Sequence, residues 1–241
     1  LTFREGEKLT YTKAGELQKK SYDRDEEEES IDNLRIRRIQ TIINELLMRH
    51  VSVGSGRILD VGCGNGALIA PFCKSNKCYG VDVAERLIRR AIDKGVEGFV
   101  LDIDLSDFPF EDNFFDIAIC AQVIEHLIKT DHALSEINRV LKLGRLLILS
   151  FPNVNQPASW LLQLFLDYPP IFSARYKSPH VRDFTLRIAK IALVNNGFKI
   201  ISAEGTTIFP FKNRLARALA HRFPRLRERI ILVAKKISNF T

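Results

Sequence analysis

The stretch Arg57-Ile58-Leu59-Asp60-Val61-Gly62-Cys63-Gly64-Asn65-Gly66 constrains this chain more than any other. A short apolar run that ends in alternating glycines is the pattern of a buried parallel strand turning sharply at its carboxyl end. Glycine lets the backbone bend tightly and lets a ligand come close to it. Gly62, Gly64 and Ala67 also fit the G-x-G-x-x-A spacing of a dinucleotide site, so the turn by itself leaves a nicotinamide-dependent oxidoreductase open.

Apolar runs and helical spacings alternate around that turn. Ile31, Leu34, Ile39, Ile42, Ile43, Leu46 and Leu47 recur at helical intervals ahead of it, so residues 1–50 are expected as a charged segment and helix capping a domain over 51–241. Downstream, strands are expected over 78–81, 98–101, 115–121, 145–151, 198–203 and 230–234, and helices over 67–74, 84–94, 131–141 and 184–195. Strands separated by helices imply right-handed crossovers and a parallel sheet covered on both faces. With 241 residues, the chain suffices for one such domain with decorations. Residues 154–182, rich in proline and aromatics, are longer than an ordinary connection and read as an insertion with a function.

Composition excludes several classes. No apolar run approaches the roughly 20 residues of a membrane helix. The opening Leu1-Thr2-Phe3-Arg4-Glu5 lacks a charged-then-apolar leader pattern, so the expected location is cytoplasmic. Cys63, Cys73, Cys78 and Cys120 lack paired zinc spacing and read as free thiols. The net charge of +7 is uneven: residues 25–29 are acidic, whereas 212–236 carry most of the basic excess. In that segment Lys212, Arg214, Arg217, Arg222, Arg225, Arg227 and Arg229 alternate with Leu215, Leu219, Phe223 and Leu226. Such a stretch suits peripheral contact with an anionic membrane surface, or a solvated face beside a packed one. Without stacking motifs or an RNA-binding module, nucleic acid is not an expected partner.

Carboxylates at strand ends carry the chemistry. Asp60 precedes the first glycine, Asp82 ends the second strand and Asp102 follows the third, so all three should face the crevice at the carboxyl edge of the sheet. A carboxylate can take both hydroxyls of a ribose, as at Asp82, or the amino group of an adenine, as at Asp102; Asp60 can hold a cationic end. Any one of these could instead cap a helix, but three in register point to a ligand.

These motifs closely resemble the class I S-adenosylmethionine-dependent methyltransferases. Residues 58–66 resemble their first motif, Tyr79-Gly80-Val81-Asp82-Val83 the acidic end of strand two, and Leu101-Asp102-Ile103 the adenine-facing motif. Residues 105–119 and Ala121-Gln122-Val123-Ile124-Glu125-His126-Leu127 resemble the segments before and after strand four. The resemblance implies an α/β, Rossmann-like, seven-stranded and mostly parallel sheet with helices on both faces and an antiparallel last strand. It also implies S-adenosylmethionine as cofactor, S-adenosylhomocysteine as product, and a cofactor site of Arg35, Asp60, Gly62, Cys63, Gly64, Gly66, Asp82, Val83, Leu87, Asp102, Ile103, Ala121 and Gln122. Ser150-Phe151-Pro152-Asn153, the segment 179–185 and Asn196-Gly197-Phe198 are similar to the methionine-biosynthesis protein W and ubiquinone-type relatives. The small-RNA 2'-O-methyltransferases hold a metal on an E-x-x-E-H core. Here Gln122 replaces the first glutamate and no second ligand histidine is apparent, so no metal is expected.

The acceptor side is less defined. The expected reaction moves a methyl group to an oxygen or nitrogen of a small or lipid-like acceptor, apolar or anionic, with His126 and His180 as the candidate bases. Trp160, Leu161, Leu164, Phe165, Tyr168, Phe172 and Tyr176 fit either a lid over the cofactor or a small helix packed on the sheet edge. Arg175, Lys177, Arg182 and Arg187 could meet an anionic group, and Tyr22-Asp23 could belong to a flap. A non-catalytic member that binds cofactor for regulation remains a further reading, because fold and cofactor site do not establish turnover.

Overall fold

In the computed structural model the strands are β1 (Arg57–Val61), β2 (Lys77–Asp82), β3 (Glu97–Val100), β4 (Phe115–Ala121), β5 (Leu141–Pro152), β6 (Phe198–Gly205) and β7 (Arg229–Lys236). They form a single sheet in the order β3-β2-β1-β4-β5-β7-β6. The structure describes residues 16, 32–50, 56–166, 180–206, 208 and 214–239. Strands β1 to β5 pair in parallel, and β7 runs antiparallel to both β5 and β6. This is the expected Rossmann-like sheet, with its last strand inserted antiparallel.

Helices α1 (Asp32–His50), α2 (Glu85–Ile92), α3 (Thr130–Val140), α4 (Pro157–Leu166), α5 (Leu186–Asn195) and α6 (Arg214–Arg222) complete the fold. The central strands alternate their apolar side chains between two cores. On one face Ile58, Ile117, Ile119 and Ile148 meet Ile39, Ile43, Leu46 and Leu47 of α1. On the other, Leu59, Val61, Ala118 and Leu147 meet Ala133, Leu134 and Ile137 of α3 and Ala189 and Leu193 of α5. Both faces being covered is why these strands read as continuous apolar runs.

Two elements differ from the sequence expectation. The helix expected over 67–74 is a set of turns with one short 3-10 turn, Ala70–Phe72. Pro71 lacks the amide that an α-helix would need there and disfavours helical backbone at Ala70. Strand β5 begins directly after α3, at Leu141 rather than Arg145, because a register shift between Phe115 and Ile117 lets it bulge, with Gly144 at φ +78°.

Parts of the two extra segments also fall into place. Helix α4 within the insertion leaves Trp160, Leu161, Leu164 and Phe165 exposed. Tyr168, Phe172, Arg175, Tyr176, Lys177, Tyr22, Asp23, the acidic run 25–29 and Lys212 lie outside the described residues. In the basic segment Arg227 is buried and donates to the carbonyls of Ala220 and Ala203, so part of that charge belongs to the fold. Among the described residues no helix is long and apolar enough to cross a membrane.

Candidate functional site

The sheet order reverses direction between β1 and β4, and in an open α/β sheet the crevice at the carboxyl ends beside that point is where ligands bind. A cleft of about 250 Å³ lies there. Its walls include Asp60, Gly62, Cys63, Gly64, Asp82, Val83, Asp102, Ile103, Ala121 and Gln122, ten of the residues expected to hold the cofactor. Gly66 and Leu87 are not on the wall: Gly66 faces Ala91 and Val96 in the layer behind, while the Leu87 side chain flanks Gly64. Arg35 lies on α1, but its side chain is outside the described residues.

The glycine turn shows which positions serve packing and which face the cleft. At Gly62 (φ +71°) a Cβ would stand 2.3 Å from a Val123 methyl, so the protein's own packing excludes a side chain. At Gly64 (φ +51°) the nearest side-chain atom is 4.0 Å away, and that position is open toward a ligand. The Gly64 amide donates to Asp82 Oδ2 (2.8 Å) and the Ala84 amide to Oδ1 (2.9 Å), which locks the carboxylate while each oxygen keeps acceptor capacity.

The electrostatics are those of carboxyl groups withdrawn from water. Burial, and then the charge of Asp82, push Asp60 up to about 8. Asp82 is also raised by burial, against the lowering effect of the amides of Ala84, Gly64 and Val83. Asp102 accepts from the Asp104 amide (2.9 Å), and Asp104 accepts from the amides of Ile128 and Lys129 (3.0 and 2.7 Å), which fixes the loop entering α3. The Cys63 and Cys120 thiols are pushed up by burial and stay neutral.

Beyond β4 the chain turns at Gln122, a non-glycine residue at φ +58°. Its amide nitrogen Nε2 donates to Ser150 Oγ (3.1 Å), and its Oε1 accepts from Arg229 Nη1. His126 lines the cleft. His180 does not, but its ring stands edge-on to that of His126, centroid to centroid 4.6 Å. Burial, then His126 and then Arg229 push His180 down to about 4. His180 places a second imidazole beside His126 that the sequence does not reveal: the ligand atoms of Glu125, His126 and His180 lie within 4.8 Å of one another. Sequence reasoning misses Arg229, which it groups with the basic segment. It also misses Ile39, Gln40 and Ile43 of α1, Asn65, Ala67 and Leu68 after the turn, and Asp104, Val123 and Leu127. The helical apolar spacing of α1 is the available signal for Ile39 and Ile43.

Residues 59–149 match the family model described as a methyltransferase domain. The chain is 37% identical over 110 residues to the ubiquinone/menaquinone biosynthesis C-methyltransferase UbiE of Paraburkholderia phymatum, an alignment covering 42% of this chain and 45% of that protein. The chain thus spans less than half the length of the curated relatives it matches. Among solved structures, an S-adenosylmethionine dependent methyltransferase from Mesorhizobium loti superposes with TM-score 0.57 at 18% identity, covering 79% of this chain and 96% of that one. The [4+2]-cyclase SpnF superposes with TM-score 0.60 at 21% identity, covering 82% and 81%.

Fold and family match together define a Rossmann-like methyltransferase domain. Residues 59–149 carry the methyltransferase-domain match on a sheet of the class I S-adenosylmethionine-dependent type, and S-adenosylmethionine is the cofactor of that class. The cleft suits that molecule: Gly64 is open for close approach, Asp82 presents acceptors for a diol, and buried Asp60 carries no more than a proton until a cation arrives.

Proposed function

We propose that this protein transfers the methyl group of S-adenosylmethionine to an oxygen or nitrogen of a small acceptor, oxygen being the better fit. The observation that supports oxygen is the polar rim built by His126 and His180 beside the cleft that Asp60, Asp82 and Asp102 line. The cofactor supplies a methyl group already activated by its positive sulfur. The chain's own work is to orient the two partners and exclude water.

In this reading Asp82 accepts from the ribose hydroxyls, Asp102 from the adenine amino group, and Asp60 pairs with the methionyl ammonium. Ile39 and Ile43 of α1 close the cleft with apolar surface and keep water out. On the acceptor side the imidazoles of His126 and His180 meet a hydroxyl at the rim. Carbon methylation is the second reading, because the curated relatives are named C-methyltransferases.

Incubation with 13C-methyl S-adenosylmethionine and a panel of phenols, quinols and amines tests this. The carbon chemical shift of the labelled product separates oxygen, nitrogen and carbon attachment. A labelled ether supports the proposal and a labelled aryl carbon moves it to the second reading. Cofactor binding without labelled product from any acceptor favours a non-catalytic, regulatory role.

A further inference from the structure

Glu125 is an odd residue to find where it is. It is 1% exposed, and its Oε2 has no hydrogen-bond partner. A buried carboxylate oxygen left without a partner is costly unless a proton or a cation compensates it. Two imidazoles stand beside it: His126 from the adjoining position and His180 from a segment 54 residues beyond His126.

The approach of His180 is built into the backbone. The Glu125 carbonyl accepts from the amides of Val181 (2.9 Å) and Arg182 (3.1 Å). The Arg182 guanidinium reaches across to the carbonyl of Ile128, and Phe184 bridges to Asn153. The loop is thereby stitched to the turn that carries Glu125 and His126, and the pair of rings is held at 4.6 Å.

We propose that Glu125, His126 and His180 form a binding site for a divalent transition-metal cation at the acceptor edge of the cleft. Two imidazoles and one carboxylate are a donor set suited to zinc, cobalt, iron or manganese, and such a set leaves coordination positions open. Their ligand atoms lie within 4.8 Å of one another. Donors around a cation at about 2.1 Å stand roughly 3 to 3.5 Å apart, so modest side-chain rotations close the set. His126 also lines the cofactor cleft, so the site borders the space where the two reactants would meet. This deepens the methyltransferase reading and rests on it: the acceptor is then one whose oxygen, a phenol or catechol hydroxyl, completes the coordination, and the imidazoles act as ligands rather than bases. The competing compensation for Glu125 is Arg229, whose positive charge acts on Glu125 and His180 while its guanidinium donates to Gln122.

Cobalt(II) titration of the chelator-stripped, untagged chain, followed by visible absorption, decides between them. The expected result is saturable d–d absorption at about one equivalent, with affinity reduced roughly 100-fold in His180→Ala and in the near-isosteric Glu125→Gln, since loss of a ligand costs at least as much as loss of a supporting partner. Failure to reach saturation in the wild type, or an unchanged spectrum in both variants, overturns the site and leaves Glu125 compensated by a proton, since burial pushes it up to about 8, with Arg229 as the nearby positive charge. Calorimetric titration with S-adenosylmethionine on the same samples keeps the two readings apart. Cofactor binding without cobalt binding removes the metal site alone, whereas absence of cofactor binding removes the methyltransferase reading on which it rests.

Discussion

A carboxyl group raised to about 8 must change its protonation when a cation docks against it, and Asp60 is such a group. In the free protein at neutral pH it is largely protonated, while the unfolded chain would have lost that proton near pH 4. The folded state therefore binds more protons between these values, and Asp60's share of stability declines as pH rises from about 4 to about 8. Pairing with the methionyl ammonium favours the ionised form, so cofactor binding at pH 7 should release about one proton. Calorimetry in buffers of different ionisation enthalpy measures that release, and Asp60→Asn should abolish it while also flattening the pH dependence of stability. An unchanged proton count in the variant would remove Asp60 from the cofactor's cationic end. The glycine turn yields a second residue-scale comparison. Gly64→Ala meets only the positive-φ cost of about 1 to 2 kcal/mol, whereas Gly62→Ala adds collision with Val123 and should cost about 3 kcal/mol or more. Chemical denaturation should rank them in that order. Cofactor titration should rank them by a different criterion, with Gly64→Ala losing affinity although it folds.

Helix α1 shows how an element outside the parallel core becomes part of the site. Ile43 is fully buried against the sheet and also lines the cleft, whereas Leu193 of α5 is as deeply buried on the opposite face and far from the wall. Truncating either to alanine should cost about 2 to 5 kcal/mol of stability. Only Ile43→Ala should also weaken cofactor affinity, and equal affinity losses in both variants would deny α1 a place in the site. The same helix is legible in the sequence because its apolar residues keep a helical period, and the central strands are legible because burial on both faces leaves them nearly all apolar. The stretch after the glycine turn misleads because Pro71 outweighs the apolar spacing around it. Asp60, Asp82 and Asp102 can be found because strand ends place them locally. The partnership of His126 with His180 cannot, since it depends on two backbone amides meeting the Glu125 carbonyl across the 54 positions that separate the two histidines. Arg229 is hidden for a related reason: a charge among many in a basic segment gives no sign of which one turns inward toward Gln122.

On the scale of the whole molecule, the antiparallel β7 has to be tied to a sheet whose other strands run the opposite way, and Lys236 does this from inside. It is completely buried, and its ammonium donates to the carbonyls of Asn138 (2.7 Å) and Leu141 (2.7 Å) and to Asn113 Oδ1 (3.0 Å). All three of its protons are used, so a charge that would be expensive alone is accommodated by three acceptors. Asn138 adds a second tie, donating through Nδ2 to the carbonyls of Asn196 (2.9 Å) and Ser238 (3.1 Å). The end of α3, the end of α5 and the end of β7 thus meet at one polar knot. That knot lies at the edge of the sheet away from the cofactor cleft, near the carbonyl of Leu141 where β5 begins, whereas the cleft is at the strands' carboxyl ends. Lys236→Met keeps the apolar stem and removes all three donations, leaving two backbone carbonyls and a side-chain oxygen to lose their partner, at a cost of about 3 kcal/mol or more. Because β7 also carries Arg229 at its other end, loosening the strand has a second expected effect. The hydrogen bond from Arg229 to Gln122 depends on the register of β7 against β5, in which Arg229 pairs with Pro152 and Lys235 with Leu146. If the knot sets that register, hydrogen exchange in Lys236→Met should speed up along β7 as far as Arg229 and into the turn at Gln122. Exchange confined to the residues around Lys236 would show instead that pairing with β5 and β6 holds the strand in place without the knot.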